Sequence, residues 1–337
     1  IGTDIFVDLK NTLAARSGAK VLVKITKWPE GDKKPEGIIT EVLGYKGDVG
    51  LDINCIMANH KIPFAFSDEV IKASKKIDTV IYEDPKRWDL RDLQMVTIDG
   101  EDAKDLDDAV SGRKLPNGNY ELGVHIADVS HYVTSGQPID NEAYKRGTSV
   151  YLVDRVVPML PEVLSNGICS LNAHEDRYAM TCMMEIDDSG TVVNYRIRPS
   201  IIHVGRRCSY KEVYKALEEN IIPDDLQDFM PMLRDLAEIS KILNRMRRRR
   251  GALDFDFPEY KVLLDLDGTP LRIVKRDRTM AERLIEECML IANETVATHL
   301  KNTHRTSVYR IHESPSEEKL DLFQKVLNYL GQDLVLS

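Results

Sequence analysis

The densest chemistry in the chain lies between Asp99 and Asp108, which read DGEDAKDLDD. Asp99, Glu101, Asp102, Asp105, Asp107 and Asp108 face a single base, Lys104, so the stretch carries a net charge of −5. Carboxylates crowded in this way repel one another unless solvent or cations neutralise them. Their oxygens are hard ligands, and Mg²⁺ takes one or two of them together with water and substrate phosphates. The stretch leaves a strand at Asp99 and enters another near Asp108, so its two ends can approach one point. Such a loop suits two-metal phosphodiester hydrolysis, in which carboxylates fix ions that activate water and stabilise the leaving oxygen. Two plainer readings compete. A run of charge is most often a solvated turn. An EF-hand calcium loop fails on ligand spacing: counted from Asp99, the fifth position is Ala103, the sixth is Lys104 rather than glycine, and the twelfth is Val110 rather than glutamate. Asp107 and Asp108 are adjacent and would face opposite sides of a regular strand. Their joint service in one site therefore predicts irregular backbone there.

The elements that must hold this loop follow from periodicity and turn chemistry. QMVTID before it is a strand, and DAVSGRKLPNGNYELGVHIADV after it reads as a hairpin turning at Asn117-Gly118. A second hairpin turns at Ser189-Gly190, and EYKVLLDLDGTPLRIVK forms a third. Apolar residues three and four apart predict helices over Tyr210–Glu219, over LQDFMPMLRDLAEISKILNRMRRRR and over Thr279–Asn302. Upstream, Val21–Thr26 and Gly37–Gly44 are β-rich and flank a Pro/Gly turn, which fits a small barrel over residues 1–67. Asp68–Ile77 reads as a capped helix and Asp84–Asp89 as linker, so residues 68–92 form a helical connection. The fold class is α+β: a small OB-like β-barrel, then a mixed α/β catalytic domain over 93–337 that is incomplete at its C-terminus.

Composition narrows the function. The 337 residues hold 46 Lys+Arg against 55 Asp+Glu, a formal charge of −9, which does not look like a general DNA-coating or membrane-surface protein unless local charge says otherwise. No apolar run reaches a membrane span and no secretory leader is visible. Five widely spaced cysteines without a CxxC pair suit free thiols in a reducing cytoplasm. The chain begins with Ile1 rather than Met, as a piece of something longer would.

TIDGEDAKDLDDAV resembles the signature of the RNase II / RNase R family of exoribonucleases. So do RGTSVYLVDRVVPMLPEVLSNGICSLN (Arg146–Asn172), GALDFDF (Gly251–Phe257), RLIEECMLIAN (Arg283–Asn293) and YRIHESPS (Tyr309–Ser316). The likeness runs from Leu93 to the C-terminus and is strongest to the RNase R members, whose cold-shock domain the N-terminal barrel resembles. It departs at Leu106, where the family often has Phe.

What the resemblance implies is specific. Asp99, Asp105, Asp107 and Asp108 would build the active site. Asp99 and Asp108 would hold one Mg²⁺, with Mn²⁺ an alternative. Asp107 would be the residue whose loss most damages cleavage, through a second ion, and Asp105 would support the cluster. Tyr151 would stack on a base at the mouth of the site and Phe255 would clamp the 3′-terminal base, both blind to sequence because every base has a π-face. Tyr210 would position the terminal nucleotide. One of Glu286 and Glu287 would orient the terminal ribose, with Glu287 the choice by spacing from Phe255. Arg206 and Arg207, and the run Arg245, Arg247, Arg248, Arg249 and Arg250, are candidates for RNA phosphates, Arg206 and Arg248 being chosen. The run also reads as a helix end opposing the macrodipole. The implied function is Mg²⁺-dependent, processive 3′→5′ hydrolysis of single-stranded RNA to 5′-monophosphates by a cytoplasmic monomer, with the RNA 3′ end as partner and neither DNA nor membrane.

Two other functions compete. DLDGT (Asp265–Thr269) copies the nucleophile motif of haloacid-dehalogenase phosphatases, with Asp265 as nucleophile and Asp267 as acid/base, but it sits at a hairpin turn with few residues beyond it. The chain also stops at Ser337, before a family motif of SPIRRY type whose arginine contacts the scissile phosphate and before an S1-type domain. An RNA-binding fragment impaired in turnover is therefore the other alternative.

Overall fold

The computed structural model describes residues 4–29, 31, 34–253, 257–276 and 278–332. The chain divides into two compact units, Ile1–Thr295 and Val296–Ser337.

In the first unit, β1 (Phe6–Val7), β2 (Ala19–Lys27) and β3 (Glu36–Tyr45) form a sheet in the order β1-β3-β2. Strand β2 runs antiparallel to β3 with register shifts that curl the pair, while β1 joins in parallel. The expected barrel is thus represented, among the described residues, by three strands without closure. A helix that the sequence reading did not anticipate, α1 (Leu51–Asn59), follows and buries Leu51 and Met57. The next helix, α2 (Asp68–Ser74), starts as expected, but its cap is Ser67, whose side chain accepts from the Val70 N–H.

Seven strands make the central sheet: β4 (Trp88–Leu90), β5 (Val96–Asp99), β6 (Asp108–Lys114), β7 (Tyr120–Ala127), and, after α3 (Val129–Tyr132), α4 (Pro138–Arg146) and the short ribbon β8 (Val150–Tyr151) with β9 (Val156–Val157), the strands β10 (Asp176–Ile186), β11 (Val192–His203) and β12 (Arg206–Ser209). Their order is β12-β5-β6-β7-β10-β11-β4. The middle strands are antiparallel hairpin partners, and the two edges, β12 on β5 and β4 on β11, are parallel. Residues read as linker around Trp88 therefore include an edge strand. Its three residues are too few for a period-2 pattern to register, and Pro85 beside them signals a break.

One face of this sheet is covered by α6 (Met230–Arg249), which follows α5 (Tyr210–Glu218). Met230, Leu233, Leu236, Ala237, Ser240 and Leu243 recur at helical spacing and are buried. The helix lies so close to β6 that a Cβ on Gly112 would stand 2.7 Å from Leu236 Cδ2. Within the sheet, His125 is fully buried between Ser111 Oγ (3.1 Å) and Thr181 Oγ1 (2.9 Å), and burial pushes its pKa down to about 3. It is a neutral core histidine. The hairpin β13 (Glu259–Leu264) with β14 (Pro270–Arg276) stands apart from the large sheet, and α7 (Met280–Asn302) begins beyond it. The second unit contains the end of α7 and an amphipathic helix, α8 (Glu317–Tyr329). The five cysteines are free thiols, and no helix among the described residues is long and apolar enough to cross a membrane.

The segment before β4 is fastened by one buried ion pair. Arg87 Nη2 donates to Asp128 Oδ2 at 2.7 Å, with the two side chains 9% and 6% exposed, and the guanidinium stacks 4.2 Å from the Tyr178 ring centre. Removing one partner strands a buried charge, which costs about 3–5 kcal/mol. Asp128→Ala is therefore expected to lower the unfolding free energy by about that amount in urea titration. A loss under about 1 kcal/mol would mean that solvent reaches Arg87 freely.

Candidate active site

The acidic loop bridges adjacent strands. Asp99 ends β5, Asp108 begins β6, and Gly100–Asp107 between them has no regular strand or helix structure. Asp107 lies just outside β6, so the two adjacent aspartates escape the alternation of a regular strand. Leu106, where the family often carries Phe, is 2% exposed and joins the apolar cluster with Ala109, Ala127, Leu164 and Leu171. A buried apolar residue between Asp105 and Asp107 anchors the loop and leaves the acids at the rim.

Hydrogen bonds complete that anchoring. Ser170 Oγ donates to the Lys104 carbonyl (2.8 Å) and accepts from the Leu106 N–H (3.1 Å), while the Leu171 N–H donates to the Leu106 carbonyl (2.8 Å). Ser170 is itself fixed by Arg177 Nε, which donates to its carbonyl at 2.9 Å. Neither Ser170 nor Arg177 was singled out from the sequence. A serine gives no local sign of contacts to a loop more than sixty residues earlier, although ICSLN stood among the resemblance motifs.

Electrostatics show that the four aspartates share one neighbourhood. Burial, then the charges of Asp99 and Asp107, push Asp108 up to about 6. Asp107 is raised by desolvation and then by Asp105 and Asp99. Its side chain is exposed in area, yet protein crowds it closely enough to weaken its hydration. Asp99 Oδ1 accepts from the Gly100 N–H at 2.6 Å, and Asp105 Oδ2 accepts from the Tyr151 hydroxyl. The carboxylates of Asp107 and Asp108 accept no hydrogen bond from the described residues. Among those residues, no three acidic, His or Cys side chains converge to ligating distance of one point. The donor set nonetheless fits a hard divalent cation: crowded, part-desolvated carboxylates with unused oxygens are what such an ion stabilises.

Other expected residues divide into those near the cluster and those committed elsewhere. Tyr151 sits in β8 with 65% of its surface exposed, and the hydrogen bond to Asp105, then desolvation, push its hydroxyl up to about 12. Tyr210 opens α5, half-buried; burial, then Asp99 and Asp108, raise its pKa, so it stays a hydroxyl donor. It lines a cavity of about 500 Å³ with Lys275, Arg276, Arg283 and Glu286.

Glu286, rather than the favoured Glu287, faces this cavity. Glu287 is 2% exposed and its oxygens take Arg247 Nε (2.8 Å), Arg247 Nη2 (2.7 Å) and Asn244 Nδ2 (2.9 Å). Adjacent positions on a helix point about 100° apart, and spacing from a distant residue does not resolve that angle. Arg206 is likewise engaged: it forks onto Glu212 at 2.9 and 2.6 Å and onto Asp225 at 3.0 and 2.9 Å, which ties the start of α5 to the strand. Arg248 lies exposed on the last turn of α6. Phe255 lies outside the described residues. The DLDGT segment is a hairpin turn in which Asp265 Oδ1 accepts from the Asp267 and Thr269 N–H groups, on an antiparallel ribbon without the parallel sheet a phosphatase of that motif requires.

Known proteins resemble the chain over almost its whole length. The RNB domain model matches residues 87–336 and a cold shock domain model matches residues 1–67. Ribonuclease R of Thermotoga maritima is 45% identical over 336 residues, covering 98% of this chain and 47% of that protein. Ribonuclease R of Escherichia coli is 38% identical over 98% of the chain and 41% of its own length. Thus the chain spans less than half the length of either. Among solved structures, Mycoplasma genitalium RNase R in complex with double-stranded RNA superposes with a TM-score of 0.90 at 32% identity, covering 97% of this chain and 58% of that one. Yeast Ssd1, a pseudonuclease, shares the fold at a TM-score of 0.70 and 17% identity, covering 99% of this chain and 42% of that one.

The raised Asp108 has a measurable consequence. Its folded pKa of about 6 lies above the unfolded value of 3.8, so its protonated form favours folding. That stability is fully present below pH 3.8 and is lost as pH rises through about 6. In a chelator, the wild-type chain is expected to lose up to about 3 kcal/mol of this contribution across that window. Asp108→Asn is expected to flatten the profile and to be more stable at neutral pH. Parallel profiles in chemical unfolding from pH 4 to 7 would contradict the coupling.

Proposed function

Because the chain belongs to the RNB-domain family of RNase R-type exoribonucleases with a cold shock domain, we propose that its protein is a 3′→5′ exoribonuclease. It would hydrolyse single-stranded RNA processively to 5′-nucleoside monophosphates. The observation that carries this reading is the cluster of Asp99, Asp105, Asp107 and Asp108 at the end of two adjacent strands, with Asp108 raised by burial and then by its acidic neighbours. The catalytic domain would extend from residue 93 through 337, joined by 68–92 to an OB-like RNA-binding domain over 1–67. The bound RNAs in the Mycoplasma genitalium complexes support RNA as partner, and two of those structures carry single- and double-stranded RNA respectively. The acting form would be a cytoplasmic monomer.

Asp99, Asp107 and Asp108 would hold Mg²⁺, or Mn²⁺, whose oxygen chemistry is similar. When bound, such ions supply Lewis-acid stabilisation of phosphoryl charge and lower the pKa of water. The chain's own groups do the rest. Tyr210, kept protonated, would donate from its hydroxyl to a phosphate or ribose oxygen of the terminal nucleotide. Asp105 would hold the Tyr151 hydroxyl and thereby set the tilt of an exposed ring on which a base can stack, a contact of about 1–3 kcal/mol. Glu286 lines the cavity with Tyr210, where Arg278 holds its carboxylate; more exposed than Glu287, it would accept further from ribose hydroxyls, and contact with the 2′-OH would favour RNA over DNA. The likeness to a pseudonuclease keeps an RNA-binding protein without turnover as the second reading, since the fold alone does not supply chemistry.

A 5′-labelled oligoribonucleotide separates the two. With Mg²⁺ the whole protein is expected to shorten it stepwise from the 3′ end and release 5′-monophosphates, and EDTA is expected to stop this. Binding without shortening would leave the RNA-binding reading. Asp107→Asn is expected to slow cleavage by roughly 100-fold or more, since loss of several kcal/mol of charge stabilisation has that effect, with RNA affinity near wild type. Tyr151→Ala is expected to change the length of the residual product more than the rate. An identical product ladder would reduce Tyr151 to a packing residue.

A further inference from the structure

The acidic loop has two clamps, and the second is an arginine that the proposed chemistry does not use. Ser170 and Leu171 fix Lys104–Leu106, but Gly100–Ala103 lies beyond their reach. There the guanidinium of Arg207 turns back over the end of β5. Its Nη2 donates to three main-chain carbonyls, Ala103 at 2.7 Å, Glu101 at 3.0 Å and Gly100 at 3.4 Å. Arg207 stands on β12, in parallel register with Thr97 of β5, so the sheet that carries Asp99 also carries the clamp. Two exposed ion pairs, Lys211 with Glu101 at 3.6 Å and Lys261 with Asp102 at 2.8 Å, add weaker ties on the outer side.

We propose that Arg207 is a positioning residue for divalent-cation binding: by gathering the carbonyls of Gly100, Glu101 and Ala103 it restrains the loop that carries Asp105 and Asp107 away from the end of β5, where Asp99 stands. The inference rests on the nuclease reading of the same site. Like charges on an irregular loop push it outward into solvent, where each carboxylate gains hydration. Opposing that drift requires donors directed at the backbone, since the carboxylates must stay available. All three bonds leave one nitrogen, whose two N–H groups are fixed in the guanidinium plane and shared among the three carbonyls, whereas an ammonium is a point charge on a flexible stem. Arg207 also brings positive charge to the rim without capping a carboxylate. Its described hydrogen bonds run to the loop, which sets it apart from Arg206, its neighbour on the strand, which Glu212 and Asp225 hold from other elements.

The test compares Arg207→Ala and Arg207→Lys with wild type by Mn²⁺ binding, read as loss of the free-ion resonance in electron paramagnetic resonance. The Mg²⁺ dependence of RNA shortening, RNA affinity in EDTA and thermal unfolding in EDTA accompany it. Groups that orient metal ligands typically change metal affinity 10–100-fold when removed. Arg207→Ala is expected to weaken Mn²⁺ binding roughly tenfold or more and to raise the half-saturating Mg²⁺ in step, with excess Mg²⁺ restoring much of the rate. Arg207→Lys is expected to fall between the two. RNA affinity in EDTA should stay within about twofold of wild type, unlike that of a phosphate-binding residue. Unchanged Mn²⁺ affinity in both variants, or lost RNA affinity with unchanged Mn²⁺ affinity, would overturn the proposal while leaving the nuclease reading intact. A wild-type protein that binds no Mn²⁺ and cleaves no RNA would overturn both. If Arg207→Ala fails to fold, the same readings on Arg207→Lys decide.

Discussion

Mutual repulsion among part-desolvated carboxylates is the constraint around which this domain is organised. Folding brings Asp99 and Asp108 to the ends of neighbouring strands, and the result is a carboxyl at Asp108 pushed up to about 6. A loop with this charge would relax outward if only its ends were held. The surrounding structure opposes that at several points: Leu106 is driven into the apolar cluster, Ser170 and Leu171 take the main chain beside it, and Arg207 gathers the carbonyls before it. All but the apolar anchor act on backbone atoms. The carboxylates of Asp107 and Asp108 are thereby spared protein hydrogen bonds among the described residues, which distinguishes this cluster from an ordinary network of surface ion pairs.

The elements legible in the sequence were those with strong periodicity or unambiguous turns. The long helix beginning near Thr279, the helix ending in the arginine run and the three Gly-containing hairpin turns appear within a few residues of their expected places. The acidic loop was legible as a run of charge, and the resemblance of TIDGEDAKDLDDAV set it apart from the solvated turn that such a run most often is. The elements not anticipated include helix α1 in the N-terminal domain, whose weak amphipathicity leaves little periodic signal, and the edge strand at Trp88. Its parallel partner lies more than a hundred residues away in β11. The register fixes it, not local pattern.

Choices between adjacent residues were the least legible. Glu286 and Glu287 differ by one helical step, and Arg206 and Arg207 alternate on one strand. In each pair one member is drawn into a more buried charge network, while the other lines the cavity, as Glu286 does with Arg278 as its partner, or holds the acidic loop, as Arg207 does. Glu287 has Arg247 and Asn244 as partners, and Arg206 has Glu212 and Asp225. Those partners sit on α5, α6 and the turn before α6, so no window around the pair contains the information. Spacing from one distant motif residue fixes a position along the chain, not the face on which a side chain emerges.

A net charge of −9 is a poor guide to whether such a protein meets a polyanion, because electrostatic attraction acts over about a Debye length of 8–10 Å. On that scale, what surrounds the acidic loop is mixed. The cavity beside Tyr210 is walled by Lys275, Arg276, Arg278 and Arg283 together with Glu259, Glu282 and Glu286. A strand of RNA brings one phosphate per nucleotide, and each needs local cationic compensation while its ribose hydroxyls need acceptors. A wall of one sign would satisfy only the first need and would bind any polyanion. Interleaved arginines and glutamates would meet both, at the cost of weaker long-range attraction. The acidic loop would then depend on divalent ions in two senses: they complete its chemistry, and they reverse the sign of the field that an approaching phosphate meets. On this argument the overall acidity is no obstacle to an RNA substrate, because the decisive charge at the point of contact would arrive with the cation.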